Sequence, residues 1–170
     1  MATKEFTDAI MLLKNDHREV EDLFDKFEKA SGQERKWEIA QKICNELKIH
    51  SMIEEEIFYP ATEEAVEEDL YNEAFVEHDS AKVLINDIME SGGQGEFFEA
   101  KVKVLSEEIE HHVGEEEKAK EGYFAQVRDS DINLVALRDQ MLARKEELQA
   151  MVEAGGLPPA ELTAVNADAT

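Results

Sequence analysis

His50 and Glu54 lie four residues apart in the stretch Ile49-His50-Ser51-Met52-Ile53-Glu54-Glu55. On a helix that spacing sets an imidazole and a carboxylate on one face, about 6 Å apart along the axis. A Glu-rich helix supplies such a pair by chance, but the same spacing recurs further along the chain at His112 and Glu116. The interval from His17 to His78 is shorter by only one position than the intervals from His50 to His112 and from Glu54 to Glu116. Each half of the chain therefore offers His…His-x-x-x-Glu, the mark of an internal duplication. A single core imidazole is commonly a satisfied structural residue. Two glutamates in the same layer differ, because a buried carboxylate needs a cation, a proton or a hydrogen-bonding partner. Four imidazoles and two carboxylates suit two transition-metal ions, each held by two histidines, with both glutamates bridging. Nitrogen and oxygen ligands without thiolate fit iron, manganese or zinc; calcium and magnesium prefer all-oxygen sites. About four protein ligands per metal leave positions for a bridging oxygen and a small molecule, the arrangement that oxygen, peroxide or nitric oxide chemistry needs.

Positioning these groups requires helices, and the apolar pattern supplies them. Phe6, Ile10, Leu13, His17, Val20, Phe24 and Phe27 follow steps of 4-3-4-3-4-3, an inward seam with a histidine in its middle. Thr7 or Asp8 can cap its start, and Ser31-Gly32 ends it. From Gln33 toward Tyr59 the seam reads Ala40, Ile43, Leu47, His50, Glu54 and Ile57, until Pro60 breaks or kinks the helix. A third segment, Asp69 to Glu90, carries Tyr71, Ala74, His78, Ala81, Ile85 and Ile88; the turn at Ser91–Gly95 follows. A fourth, Glu96 to Lys120, carries Phe98, Val102, Leu105, Ile109, His112, Glu116 and Ala119. Strand-like alternation is absent, so the fold class is all-α, an up-down-up-down four-helix bundle over residues 1–124. Residues 125–153 form an additional amphipathic helix, capped by Asp129, Ser130 or Asp131, with a stripe of Leu134, Leu137, Met141, Leu148 and Met151 interrupted at Arg144. It is expected either to cover one side of the bundle or to pair with a second copy as a homodimer. Residues 154–170, from Gly-Gly-Leu-Pro-Pro onward, read as a disordered, flexible tail.

Composition narrows the partners. With 41 acidic and 18 basic residues the formal net charge is −23, so neither nucleic acid nor an anionic membrane finds the basic footprint it requires. No apolar run approaches the roughly 20 residues that span a bilayer. Cys44 is the sole cysteine, which rules out an internal disulfide or a cysteine zinc site and fits a small apolar residue on a helix. The first residues, Met1-Ala2-Thr3-Lys4-Glu5-Phe6, lack a signal peptide's apolar core. The expected compartment is the cytoplasm.

Asp16-His17-Arg18-Glu19-Val20, His50-Ser51-Met52-Ile53-Glu54-Glu55 through Phe58-Tyr59-Pro60, Glu77-His78-Asp79 and His111-His112-Val113-Gly114-Glu115-Glu116 resemble the motifs of the hemerythrin-like (HHE cation-binding) family. The resemblance covers about residues 7–124. It implies a four-helix bundle with two iron ions in a bridged, non-haem di-iron centre, and it carries metal-ligand roles onto His17, His50, Glu54, His78, His112 and Glu116. Oxygen-carrying hemerythrins have a fifth histidine one turn before the third-helix histidine, and Ala74 stands there in this chain. One iron is therefore expected to be more open than in a carrier. Gly122 stands where many relatives have proline.

Tyr71, Tyr123 and His111 are candidates for an additional ligand or a supporting contact, with core packing or surface exposure as the alternatives. Glu55, Glu56, Glu115 and Glu117 read as solvated, or as groups that orient a histidine. Trp37 reads as packing. The function expected is reaction of a di-iron centre with hydrogen peroxide or related reactive oxygen and nitrogen species, catalase-like, with no catalytic residue beyond the metal ligands. The alternative is oxygen or nitric oxide binding, or iron or oxygen sensing, without turnover. Iron–sulfur cluster repair ranks behind these, because the short stretch before His17 leaves no room for a cysteine-bearing domain. A ferritin-like site is rejected, because Glu-x-x-His occurs once, at Glu108 and His111, off the seam.

Overall fold

The computed structural model describes residues 5–166. Asp8 starts the first helix, α1 (Ala9–Lys29), by accepting the Met11 amide at 2.9 Å, which satisfies one of the donors a helix start leaves free. Three residues later, past Gly32 with φ 87°, α2 (Gln33–Ile53) begins. It runs directly into a π turn (Glu54–Phe58) and a short α3 (Tyr59–Thr62), followed by a 3₁₀ turn (Glu63–Ala65). Of the two expectations for Pro60, a break or a kink, the chain does not break there but leaves regular α-helix in the turn just before it. Pro60 sits in the first turn of α3, and the wider π turn ahead of it accommodates the ring and the missing amide that would disrupt an α-helix. α4 (Glu68–Ser91) ends on the left-handed Gly92, and α5 (Phe98–Glu117) follows.

α1 packs on α2, α2 on α4, α4 on α5 and α5 on α1, so the four long helices close a ring. Their apolar seams do not merge into one core. Ile10, Leu13, Ile53, Phe58 and Tyr59 belong to a cluster at one end, and Val20, Ile43, Leu47, Ile85 and Leu105 to a cluster at the other. His17, His50, His78 and His112 lie between them on the four helices, all buried. The bundle thus carries a polar layer across its middle, clamped by two dry clusters.

After α5 the chain forms α6 (Tyr123–Arg128), a helix the apolar pattern does not announce, and then α7 (Leu134–Glu153). Asn133, rather than Asp129, Ser130 or Asp131, caps α7 by accepting the Ala136 amide at 3.0 Å. Leu137, Met141 and Leu148 are buried against the bundle, where α7 meets α1, α2 and the π turn, while Met151 stays exposed. The interruption of the stripe at Arg144 is an ion pair, 2.8 Å to Glu56. The expected flexible tail differs most. Residues 157–165 lie along α2 and α4, held by Lys48, Asn86, Lys82 and Asp79. Composition misleads there because the hold is polar, made by side chains of distant helices. No strand forms among the described residues, and no helix in them is long and apolar enough to cross a membrane.

Candidate metal centre

The seam spacing delivers the six expected residues to one layer, where they sort into two groups. His17, His50, Glu54 and Glu116 bring donor atoms within 4.8 Å of one another, and so do Glu54, His78 and His112. Glu54 belongs to both groups. Glu116 also reaches across: its Oε1 lies 3.3 Å from His17 Nε2 and 3.0 Å from His112 Nε2.

Each imidazole presents Nε2 to the layer because its Nδ1 faces a carboxylate on a neighbouring helix. His17 Nδ1 lies 2.9 Å from Glu117, His50 Nδ1 3.1 Å from Asp16, His78 Nδ1 3.0 Å from Glu55 and His112 Nδ1 3.2 Å from Glu77. A carboxylate there fixes ring orientation and tautomer and makes the other nitrogen a better donor. The duplication extends to these carboxylates. Asp16 and Glu77 each stand immediately before the first histidine of their half, and Glu55 and Glu117 each stand immediately after its glutamate. Cations stand outside these carboxylates in turn. Arg18 pairs with Glu117, Lys145 of α7 with Asp16 at 2.5 Å, and Lys82 with Glu55 at 2.8 Å.

Of the tyrosines, neither Tyr71 nor Tyr123 brings its hydroxyl to the layer. Tyr71 packs its ring against Phe75 and Tyr59, and the Tyr123 hydroxyl bonds Thr62 Oγ1 at 2.8 Å. His111 is 68% exposed and pairs with Glu77 at 3.2 Å. Glu56 is taken by Arg144, and Trp37 packs on Phe98. The residue that does arrive is Tyr59, whose hydroxyl lies 3.2 Å from His78 Nε2, 3.4 Å from His112 Nε2 and 3.2 Å from Glu116 Oε2. On a continuous α-helix it would sit roughly 140° away from Glu54, at about 100° per residue. The π turn reverses that, since the Tyr59 amide donates to the Glu54 carbonyl five residues back. A phenol thus stands on the His78 and His112 side of the layer, the side on which Ala74 replaces a fifth histidine. Ala74 and Tyr59 share one apolar cluster. The one sequence signal was Pro60, which deprives the Glu56 carbonyl of its usual partner.

Among the described residues, His17 Nε2, His50 Nε2, both oxygens of Glu54 and Oε1 of Glu116 are buried, and although several face one another as close nitrogen–oxygen pairs, none forms a well-directed hydrogen bond. Leaving such atoms unsatisfied is costly. They converge in one layer, on nitrogen and oxygen donors alone, so the residues fit a pair of cations. In the metal-free protein protons take that place. Burial opposes a charge on His50, yet Glu54 and Asp16 push it up to about 10. His17 and His112 are raised against burial in the same way, by Glu116 with Glu117 and by Glu116 with Glu77. Burial, then Glu116 and Glu54, raise Tyr59 well above the usual tyrosine range, so its phenol ionises only beside a cation.

A void of about 20 Å³ adjoins the layer, lined by all four histidines with Val20, Leu47, Ala81 and Ile85. Glu108 also lines it; its Oε1 accepts from Ser80 at 2.9 Å, and its Oε2 is buried without a partner.

The family model for the hemerythrin HHE cation binding domain matches residues 8–120. Among solved structures, a hemerythrin HHE cation binding domain-containing protein from Mycobacterium kansasii is similar, with a TM-score of 0.72 and 23% identity over 89% of this chain and 96% of that one. That likeness is one of fold. No match was found among curated proteins. With two thirds of the chain under the family model and its histidines and glutamates gathered in one buried layer, the chain belongs to the hemerythrin HHE cation binding domain family.

Proposed function

We propose that this metal-binding helical protein holds two iron ions and reacts with hydrogen peroxide or a related reactive oxygen or nitrogen species. The observation that carries the reading is the void of about 20 Å³ against four imidazoles. A cavity of that size admits about one water-sized molecule, which selects peroxide, oxygen or nitric oxide over any larger substrate. His17, His50, Glu54 and Glu116 would hold one ion, and His78, His112 and Tyr59 the other, with Glu54 and Glu116 between them. Iron supplies Lewis acidity and redox equivalents when bound.

Tyr59 favours turnover over carriage. A phenolate is a hard, anionic ligand that stabilises ferric iron, whereas a carrier must return to the ferrous state; haem catalases use tyrosine on iron likewise. Glu108, with an unpartnered buried oxygen beside the void, would accept and return a proton of a small molecule held there. Asp16, Glu55, Glu77 and Glu117 keep the imidazoles in place.

The test is metal analysis with an absorption spectrum, then oxygen evolution from hydrogen peroxide by iron-loaded protein. Two irons per chain and evolution well above that of His112→Ala are expected; evolution no greater than that variant's overturns turnover. Oxygen or nitric oxide binding, or sensing, uses the same void, and oxygen held for hours without autoxidation would establish it instead.

A further inference from the structure

We propose that residues 157–165 are a strap that positions His78, so that docking of the strap and occupation of the His78 group by metal strengthen each other. This rests on the metal-binding reading of the layer. After α7 the chain turns at Gly155 and Gly156, with φ 146° and 112°, and runs back along α2 and α4. Lys48 Nζ donates to the Leu157 carbonyl at 3.3 Å. Asn86 pairs with Ala160 on both sides, its amide donating at 2.9 Å and its oxygen accepting at 2.8 Å. Lys82 Nζ donates to the Glu161 carbonyl at 2.9 Å.

The strap ends on two carboxylates that flank His78. The Asp79 carboxylate, on the next residue of α4, accepts three consecutive amides: Thr163 at 2.8 Å, Ala164 at 2.6 Å and Val165 at 2.7 Å. Consecutive amides converging on one anion form a nest. Glu55 Oε1 accepts the Thr163 hydroxyl at 2.6 Å, while Glu55 Oε2 faces His78 Nδ1 at 3.0 Å. An unbroken chain, Thr163 to Glu55 to His78, thus runs from the strap to the imidazole. The other three histidine carboxylates take their outer partners from the helices, Arg18, Lys145 and His111. Glu55 has Lys82 and the strap.

The attachment is of the kind that responds. Thr163 is exposed, Leu162 and Val165 are 38% and 43% exposed, and Pro158–Glu161 line a cavity of about 330 Å³ together with Met52, Glu55 and Lys82. With little apolar surface buried, docking rests on polar contacts and belongs to the low-stability end of the molecule. A cation on Nε2 fixes the His78 ring with Nδ1–H on Glu55 Oε2, and a Glu55 held in that rotamer keeps Oε1 where the Thr163 hydroxyl reaches it. By linkage the effect is reciprocal.

Co²⁺, which needs no redox step and reports its ligands by absorption, is titrated into the full chain and into Thr163→Val and Thr163→Ser. Thr163→Val should weaken one of two Co²⁺ sites by about tenfold, the size expected when a group orienting a ligand is lost, and leave the other unchanged; Thr163→Ser should restore it. Hydrogen exchange of the amides of residues 163–165 should slow about tenfold on Co²⁺ loading. Equal Co²⁺ affinities in wild type and Thr163→Val, or exchange at 163–165 indifferent to Co²⁺, overturns the strap while the metal reading stands. A wild-type chain that takes up no Co²⁺ overturns both.

Discussion

The amide of Tyr59 donates to the carbonyl of Glu54, closing a π turn that sets the phenol and the carboxylate over the same layer. That single hydrogen bond turns an aromatic residue, off-face on a regular helix, into a neighbour of His78 and His112. It brings a phenol to the His78 and His112 side of the layer in a chain whose third long helix carries Ala74 in place of a fifth histidine.

Iron-loaded Tyr59→Phe should keep two irons and lose one intense visible absorption band, the phenolate-to-ferric charge transfer that goes with the hydroxyl. Its reduction potential should rise, as a hard anionic ligand is gone. Spectra and potentials identical to wild type would show that the phenol does not bind.

Asp16 and Lys145 are both buried, one facing His50 and the other belonging to α7. Asp16→Asn leaves the lysine without its counter-ion and should cost about 3–5 kcal/mol, with metal affinity falling about 10–100-fold. Lys145→Met in the same chain should recover most of the stability but not the affinity. Chemical denaturation and metal titration of the single and double variants separate the two effects.

Protons and metal compete for the same imidazoles. Burial works against charge on His50, but Glu54 and Asp16 raise it from 6.5 to about 10 in the metal-free protein. That contribution to stability is complete below about pH 6.5 and fades as pH climbs toward about 10. Metal-free protein should therefore melt at progressively lower temperature across this window, whereas metal loading should tighten with pH and release protons. Melting curves of both forms, with proton release in weak buffer, are the check; parallel trends would contradict it.

Glu108→Gln removes the carboxylate but keeps the shape of the side chain beside the void. Oxygen evolution should fall about 10²-fold, the usual weight of one proton-transfer group, with iron content unchanged. Unaltered turnover would take Glu108 out of the reaction.

Gly122 occupies a place with no room for a side chain. A Cβ would lie 2.5 Å from the Lys118 carbonyl oxygen and 2.9 Å from that of Glu115. Gly122→Ala should destabilise by about 1–3 kcal/mol, and Gly122→Pro further, since the Gly122 amide donates to Lys118 at 3.2 Å. Thermal melts measure both. Phe124, stacked on His17 at 5.8 Å, lies in the first turn of α6 just past this glycine, so iron content should drop with stability.

The four bundle helices, α7, the histidine layer and the duplication were legible in the chain, because each depends on spacing along a single helix. A seam with steps of 3 and 4 has one buried face, and His17, His50, Glu54, His78, His112 and Glu116 lie on it whatever the neighbours do. The features decided only in three dimensions are contacts between helices or changes of register. Asp16 reaches His50, Glu77 reaches His112 and Glu117 reaches His17, each from a different helix; no local period encodes such pairings. Tyr59 joined the layer through a π turn, whose extra residue shifts every later side chain. The segment after Gly156, polar and proline-bearing, read as tail because its anchors, Asp79, Lys82 and Asn86, lie on α4, far back along the chain. Spacing along one helix named the residues that gather in the buried layer, and packing between helices decided which groups hold them there.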